Sequence, residues 1–366
     1  IEFRAESPET QALPPSVSQH LPLRWQQAAG SLADKLTHAL NAANGEPLLI
    51  LEANAVIDPR LLRYMGGHAG SYAAQGGDGA ERTTAMRLEG HDLAAGSADV
   101  GLPELAQQSI SQGTLPELAL DTIPSYITKL RRDLPMYLFR VTDPAQRDRS
   151  ERFLFWSNYK GSTDFFTKYV YPPLVWRLVR PLARWRVHPN VVTLFNVFIT
   201  FAAVPLFARG SWLSGFLCAY SMSVLDSVDG KLARLTFRSS RLGDVLDHGL
   251  DIVHPPLWYA AWAWALSHGN MASPIFHATI WMTGVYILDR IVAGIFRKRM
   301  GRSIHAYTPL DERMRTFISR RNINTPLFML GLLAGIPIPV FYLIVIWQVA
   351  TFLFHTQRLL HFWNDK

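Results

Sequence analysis

Four aspartates lie close together in the sequence, where one apolar run ends and the next begins. Asp226 and Asp229 stand three residues apart at the end of the first run, and Asp247 and Asp251 stand four apart at the start of the second. Residues three or four apart share one face of an α-helix, so each pair presents both carboxylates on one side. Four carboxylates that meet repel one another unless cations neutralise them. Because oxygen ligands suit hard divalent cations, the pattern predicts a site for one or two such cations, typically Mg²⁺ or else Mn²⁺, and a pyrophosphate substrate.

Small residues and one arginine separate the two aspartate pairs. They are Gly230, Ala233, Arg234 and Gly243. The small side chains would let helices pack closely or would leave room for a flat base, and both interpretations stay open. The guanidinium of Arg234 suits a phosphate group or the acidic cluster itself. Because charged residues beside apolar spans are costly, a functional site is favoured over a solvated acidic surface.

The elements that must position these residues are indicated by polarity. Residues 1–150 carry 13 Lys and Arg against 18 Asp and Glu, whereas residues 151–366 carry 23 against 11 and hold nearly every long apolar run. Six runs predict membrane-spanning helices, at 191–208, 211–225, 249–266, 275–295, 325–334 and 338–354. Basic residues are concentrated in alternate connections, so the positive-inside rule places both termini and the aspartates on the cytoplasmic side. Strict alternation argues against buried helices of a large soluble protein.

The rest of the chain predicts a different kind of structure. Residues 1–156 indicate a small soluble α/β domain, because the short apolar run 47–51 ends in polar residues before a helical pattern. A helix is also predicted over 124–132. Residues 157–187 indicate an amphipathic juxtamembrane helix at the cytoplasmic surface, although a plain linker helix is the alternative. The expected fold is therefore an α-helical integral membrane protein with six transmembrane helices over 188–366, preceded by this α/β domain.

The aspartate pattern is also specific enough to suggest a family. The spacing D-x2-D-G-x2-A-R-x8-G-x3-D-x3-D over 226–251 resembles the signature of the CDP-alcohol phosphotransferase family, with every fixed position present. The segment 188–193, His-Pro-Asn-Val-Val-Thr, is similar to the opening of the first span in that family. The resemblance covers about 160–360. It implies transfer of a phosphoryl-alcohol group from a CDP-alcohol, such as CDP-diacylglycerol or a CDP-inositol-like donor, to a hydroxyl acceptor with release of CMP, in phospholipid or related polar-lipid biosynthesis.

The same resemblance implies roles for particular residues. Asp226, Asp229 and Asp247 would ligate the metal, while Asp251 would face the metals as a further ligand and act as the general base. The implied nucleotide- or phosphate-binding residues are Gly230, Ala233, Arg234 and Gly243. A homodimer in a bacterial inner or plasma membrane is expected, and nucleic acid is not an expected partner.

The acceptor is less well indicated. The candidates for binding a phosphorylated acceptor, such as an inositol phosphate, are Arg290, Arg297, Arg313 and Arg315. Their charges also fit the positive-inside rule and attraction to anionic lipid, and both interpretations stay open.

Two other functions compete with this one. An intramembrane Mg²⁺-dependent prenyltransferase also uses D-x3-D, but the glycine, Ala-Arg and six-span pattern argues against it. An ion transporter would place its carboxylates near the membrane midplane rather than at the cytoplasmic rim.

The N-terminal region resembles a nucleotidyltransferase-like domain that some members of the family carry. Residues 48–59 are similar to its central strand, with Glu52 and Asn54 where an aspartate normally holds metal. The Gly-rich, Lys-containing nucleotide signature does not precede this strand in the chain. Since the chain begins without Met, an upstream piece is expected. We interpret the region as a partial or catalytically inactive domain.

Overall fold

The computed structural model describes residues 30–90 and 100–363, together with two paired two-residue strands, β1 (Glu2–Phe3) and β2 (Arg24–Trp25). The structure is mostly helical, as the sequence predicts. The chain divides into two compact units. One comprises 1–126 and 133–151, and the other comprises 127–132 and 152–366.

The first unit combines helices with a small antiparallel sheet. Its helices are α1 (Leu32–Ala42), α2 (Pro59–Gly67) and α3 (Leu102–Ser111), and its strands include β3 (Leu48–Leu51), β4 (Ala55–Ile57), β5 (Tyr72–Gly76) and β6 (Thr83–Leu88). The strand order is β3-β6-β5, with Ile50 opposite Met86. The central strand β6 is buried along its whole length, and Leu36, Leu40 and Leu105 of the helices pack into the same core. The strand and helix predicted around 47–65 are thus present as β3 and α2.

The end of this unit departs from prediction. The helix expected over 124–132 is wrong, because the segment forms the short strands β7 (Tyr126–Ile127) and β8 (Arg132–Asp133). A tight turn ends at Arg131, which has a left-handed φ of 53° and donates its N–H to the Ile127 carbonyl at 2.7 Å. Strand β9 (Leu138–Arg140) then pairs with β4. The helix α4 (Pro144–Ser157) follows.

The second unit is a helical bundle. A π-helical turn (Phe166–Val170) precedes α5 (Pro172–Arg184), α6 (Pro189–Ala208), α7 (Trp212–Leu235), α8 (Arg241–Leu266), α9 (Pro274–Met300), α10 (Pro309–Arg315), α11 (Arg321–Leu333) and α12 (Pro337–His361). Several of these helices begin at a proline, whose missing N–H costs nothing in the first turn. Helix α6 packs on α7 and α8, and α12 packs on α9 and α11.

Within the described residues, three helices are long and apolar enough to cross a membrane. These are α6, α9 and α12. Helices α7 and α8 have 24 and 26 residues, whereas α11 has only 13. The rise of about 1.5 Å per residue makes α11 about 20 Å long, which is shorter than a typical hydrocarbon core.

An aromatic core holds the bundle together at the end of α6 that lies away from the aspartates. Trp262 stacks on Phe328 with ring centroids 4.3 Å apart, and Phe207 meets Trp262 edge-on at 5.6 Å. Gly215 permits this packing, because a Cβ at that position would lie 2.5 Å from the Phe207 ring. Such dense packing fixes the helix axes, and it therefore also fixes the polar ends of α6, α7 and α8.

Candidate active site

The predicted carboxylates lie on two adjacent helices. Asp226 and Asp229 lie on α7, and Asp247 and Asp251 lie one turn apart on α8. The side chain of Asp247 is outside those that the structure describes. Among the described side chains, no three His, Cys, Asp or Glu residues are grouped as metal ligands. The four-carboxylate cation site therefore stays a prediction.

Of the motif carboxylates whose side chains the structure describes, Asp229 is the most enclosed. It is 5% exposed, and Thr193 of α6 donates its hydroxyl to Asp229 Oδ2 at 2.8 Å. The backbone N–H of Gly230 donates to the other oxygen, Oδ1, at 2.6 Å. A buried carboxylate needs such donors, and here they fix its orientation from two helices.

The first turn of α6 also forms a hydrogen bond with the N-terminal cap of α8. Asn190 Oδ1 accepts a hydrogen bond from the Ser240 hydroxyl at 2.8 Å, and Ser240 caps α8 by accepting from the Gly243 N–H at 3.0 Å. A Cβ at Gly243 would lie 3.1 Å from Asn190 Oδ1, so a small residue is needed for this approach. The Pro-Asn-x-x-Thr segment thus contacts α7 through Thr193 and α8 through Asn190.

An arginine bridges the remaining two carboxylates. Arg321, at the start of α11, places Nη2 at 2.7 Å from Asp226 Oδ2 and Nη1 at 2.6 Å from Asp251 Oδ1. Nη1 also lies 3.1 Å from His254 Nε2. The arginine side chain is 5% exposed, whereas the Asp251 side chain is 46% exposed. One oxygen of Asp251 thus contacts the buried guanidinium of Arg321, while about half of the Asp251 side chain is exposed.

The other motif residues lie on the last turns of α7. Arg234 packs over Gly230, where a Cβ would lie 3.3 Å from Nη1, and its Nη2 donates to the Asn158 carbonyl at 3.5 Å. Ala233 is partly buried beside it. The small residue at 230 thus leaves room for the guanidinium of Arg234.

The four candidate acceptor arginines separate into two pairs. Arg315 is buried and Arg290 is half-buried, whereas Arg297 and Arg313 are exposed. Burial and the positive charges of Arg320, Arg131 and Arg290 hold the pKa of Arg315 well below its ordinary value. In the described part of the chain, the buried Nε atoms of Arg290 and Arg315 have no hydrogen-bond partner. The structure thus gathers Arg290 and Arg315 in one cationic region and leaves the other two at the surface.

Asp164 holds a neighbouring part of this region. Its carboxylate lies 3.1 Å from Arg320 Nη1 and 3.1 Å from Asn322 Nδ2. Burial raises the pKa of Asp164. The charge of Arg320 and the hydrogen bond from the Thr167 N–H lower this pKa by a larger amount, so the net shift is downward. The segment before α5 is thereby tied to the start of α11.

Residues 186–354 match the model of the CDP-alcohol phosphatidyltransferase family. This stretch, which contains all four motif aspartates, is thus similar to CDP-alcohol phosphatidyltransferases. This confirms the family that the aspartate spacing resembles.

Individual relatives are similar over shorter stretches. An archaetidylinositol phosphate synthase from Aeropyrum pernix is 31% identical over 29% of this chain and 46% of its own length. Cholinephosphotransferase 1 from Gallus gallus is 31% identical over 32% of this chain and 37% of its own length. The chain thus spans less than half the length of these two curated relatives.

Solved structures of a Mycobacterium tuberculosis phosphatidylinositol phosphate synthase are also similar. The form with CDP-DAG bound is 19% identical, with a TM-score of 0.41, and the match covers 52% of this chain and 94% of that one. The form with manganese and citrate is 20% identical, with a TM-score of 0.40, and the match covers 51% and 88%.

Sequence reasoning does not single out several polar residues of this unit. Arg320 and Arg321 fall in a basic connection that the positive-inside rule already explains, and Asp164 falls within the segment 157–187. The one available signal was the placement of two arginines and Asn322 directly before a short apolar run, where buried polar groups demand partners.

The N-terminal unit places its two singled-out residues just after β3. Glu52 accepts a short hydrogen bond from the Thr83 hydroxyl and lies 3.5 Å from Arg140 Nη1. The backbone carbonyl of Asn54 accepts from the Val141 N–H at 3.0 Å. The Glu52 carboxylate is therefore engaged by partners within its own unit.

Proposed function

We propose that this protein transfers a phosphoryl-alcohol group from a CDP-alcohol to a hydroxyl acceptor and releases CMP. The observation that carries the proposal is the complete aspartate motif, with the described carboxylates held together where α6, α7, α8 and α11 meet. The family match supports this reaction over prenyl transfer or ion transport. The named relatives support a place in phospholipid or related lipid synthesis.

The donor set fits a divalent cation. Asp226 and Asp251 converge on one shared positive charge, that of Arg321, which supports a common cation-binding position between them. Asp229 and Asp247 would complete an all-oxygen set, and we propose two ions, Mg²⁺ or Mn²⁺. When bound, divalent ions neutralise the pyrophosphate and stabilise CMP as a leaving group.

The exposures of the carboxylates support different roles. Asp251 is half-exposed and could take the proton of the acceptor hydroxyl, whereas Asp229 is enclosed and suits a ligand of fixed orientation. Asp251 is also positioned through its backbone, since Tyr286 donates its hydroxyl to the Asp251 carbonyl at 2.9 Å. We propose that Gly230, Ala233, Arg234 and Gly243 shape the nucleotide side.

The buried cationic region supports an acceptor that carries a phosphate. A buried guanidinium is costly unless an anion pairs with it, and the buried Nε of Arg315 has no hydrogen-bond partner among the described residues. Arg290 already lies 3.4 Å from Asp289 through Nη2, and its Nε alone has no such partner there. Phosphate oxygens would satisfy these donors. Arg297 and Arg313 are exposed and suit anionic lipid head groups instead.

We also propose the membrane arrangement predicted from the sequence. Helices α7 and α8 would join α6, α9 and α12 as spans, with α5 on the cytoplasmic surface. The connection over 301–320 would lie on the cytoplasmic side, where His305, Asp311 and Arg315 are buried by the protein itself. Both termini and the site would face the cytoplasm, and the homodimer stays a prediction.

The engaged Glu52 carboxylate supports an N-terminal unit that does not transfer nucleotides. Incubation with CTP and an alcohol phosphate should therefore give no CDP-alcohol. Metal-dependent formation of that product would refute this part of the proposal.

The main reaction can be tested with purified protein in lipid nanodiscs. CDP-diacylglycerol or CDP-inositol is supplied with candidate acceptors, with and without an acceptor phosphate, and CMP and lipid products are measured by mass spectrometry. CMP release should require Mg²⁺ or Mn²⁺ and should be lost in Asp229→Asn, while the variant remains folded in detergent. Full turnover in saturating chelator, or in Asp229→Asn, would contradict the proposal.

A further inference from the structure

One buried arginine occupies the centre of the carboxylate cluster. Arg321 joins α7 to α8 by pairing with Asp226 at 2.7 Å and Asp251 at 2.6 Å. These contacts span 95 and 70 residues of sequence, so a single side chain ties three helices together. The Arg321 side chain is 5% exposed, whereas those of Asp226 and Asp251 are 23% and 46% exposed, so the guanidinium itself is shielded from water. Charge interactions are stronger where water is excluded.

Neighbouring groups hold the guanidinium in this position. His254 Nδ1 lies 2.5 Å from the Leu250 carbonyl, which assigns the ring proton to Nδ1 and leaves Nε2 as an acceptor for Arg321 Nη1 at 3.1 Å. Arg321 Nε donates to Asn322 Oδ1 at 3.3 Å, and the Asn322 amide in turn donates to Asp164. The arginine is therefore fixed by polar partners in addition to the two carboxylates.

This geometry creates a conflict with the proposed cation. A divalent ion bound by Asp226 and Asp251 would place two further positive charges next to the guanidinium. Like charges at such short range repel, so the ion must weaken or replace the two ion pairs of Arg321. The same ion pairs prevent repulsion between the carboxylates when no divalent ion is bound.

We propose that Arg321 is a built-in counter-cation that stabilises the cation-free carboxylate cluster and competes with the divalent ion for Asp226 and Asp251. The inference rests on the proposed function only through its cation site. It predicts that loading of the ion and displacement of Arg321 are coupled. The arginine thereby sets a threshold of cation concentration below which the site stays closed by its own side chain.

The test compares wild type with Arg321→Gln, which removes the charge. Thermal unfolding is measured in detergent with and without Mn²⁺, and Mn²⁺ affinity is measured by calorimetry. Without Mn²⁺, Arg321→Gln should lower Tm by about 4 °C or more, because two carboxylates lose their partner. It should bind Mn²⁺ at least about tenfold more tightly, and the Mn²⁺-induced rise in Tm should become larger.

Two further variants separate competition from general damage. Arg358→Gln removes another ion pair, to Asp311 at 2.7 Å, and should lower Tm without changing Mn²⁺ affinity. Arg321→Lys keeps the charge but loses the two-pronged guanidinium, so its Mn²⁺ affinity should stay within about threefold of wild type. It also gives a readout if Arg321→Gln does not fold.

The outcomes distinguish this proposal from the proposed function. If wild type binds Mn²⁺ and Asp229→Asn does not, the cation site stands. Unchanged or weaker Mn²⁺ binding by Arg321→Gln would then overturn the counter-cation alone. If Arg321→Lys gains as much Mn²⁺ affinity as Arg321→Gln, the counter-cation proposal is also overturned. Loss of the positive charge would then not be the cause of the tighter binding. No Mn²⁺ binding by wild type would contradict both proposals.

Discussion

The hydrogen bond from Thr193 to Asp229 gives a sharp test of how the first span supports the site. Thr193→Val replaces the hydroxyl by a methyl group of similar size at a position that is 4% exposed. The change removes the 2.8 Å donor from Asp229 Oδ2, while the Gly230 N–H still reaches Oδ1. The fold should survive because the volume is nearly unchanged, but a buried carboxylate loses one of its two donors.

The expected magnitude follows from the charge of the acceptor. A hydrogen bond to a charged group contributes about 1.5–3 kcal/mol. At about 1.4 kcal/mol per factor of ten, this corresponds to roughly a 10- to 150-fold change in an equilibrium constant. Loss of a residue that orients a ligand weakens metal binding by about 10- to 100-fold. We therefore expect the apparent Kd for Mn²⁺ to rise about 10- to 100-fold, with a smaller effect on CMP release at saturating cation.

The assay is a Mn²⁺ titration of CMP release, with calorimetry on the same samples. Thr200→Val is the matched control, because Thr200 is also buried on α6 and donates only to the backbone carbonyl of Asn196. That variant should keep its Mn²⁺ affinity within about threefold. Equal Mn²⁺ affinity in Thr193→Val and wild type would refute the inference that α6 orients Asp229 as a ligand.

Three further outcomes follow from the site. Asp251→Asn should lower turnover by about 10²- to 10⁴-fold, the usual contribution of a general base, while CDP-alcohol affinity measured by calorimetry stays within about tenfold; collapse of that affinity would instead make Asp251 primarily a ligand. Arg315→Gln should raise KM for a phosphorylated acceptor by at least tenfold, whereas the exposed Arg313→Gln should not, and equal KM values in both would contradict the acceptor site. Because the folded pKa of Asp164 is depressed below 3.8, its ionisation stabilises the fold above that pH and the stabilisation is lost as pH falls through the folded pKa. Asp164→Asn should therefore lower Tm at pH 7 and reduce the loss of Tm below pH 4, and an unchanged pH profile would exclude this role.

The sequence predicts elements well where local composition decides the structure. The apolar run 191–208 corresponds closely to α6 (Pro189–Ala208), and the run 47–51 corresponds to β3 (Leu48–Leu51). The prediction of a helix fails at 124–132, because a tight turn at Arg131 interrupts the segment. The apolar run 325–334 marks α11, but the helix begins earlier, at Arg321. Hydropathy excludes the first turn of α11 because Arg321, Asn322 and Asn324 are polar. In the structure these side chains pair with residues of other segments.

Sequence reasoning finds the aspartate motif because the members of each aspartate pair lie about one helical turn apart, and the two pairs lie on consecutive helices. It does not find Arg321, because the partners of that arginine lie 70 and 95 residues away and because its charge fits the positive-inside rule equally well. Arg313 and Arg315 show the same ambiguity two positions apart, since the first is exposed and the second is buried. An exposed arginine is sufficiently explained by topology, whereas a buried one requires an anion. Packing therefore singles out Arg315 and Arg321 as candidates for the site, and composition alone does not.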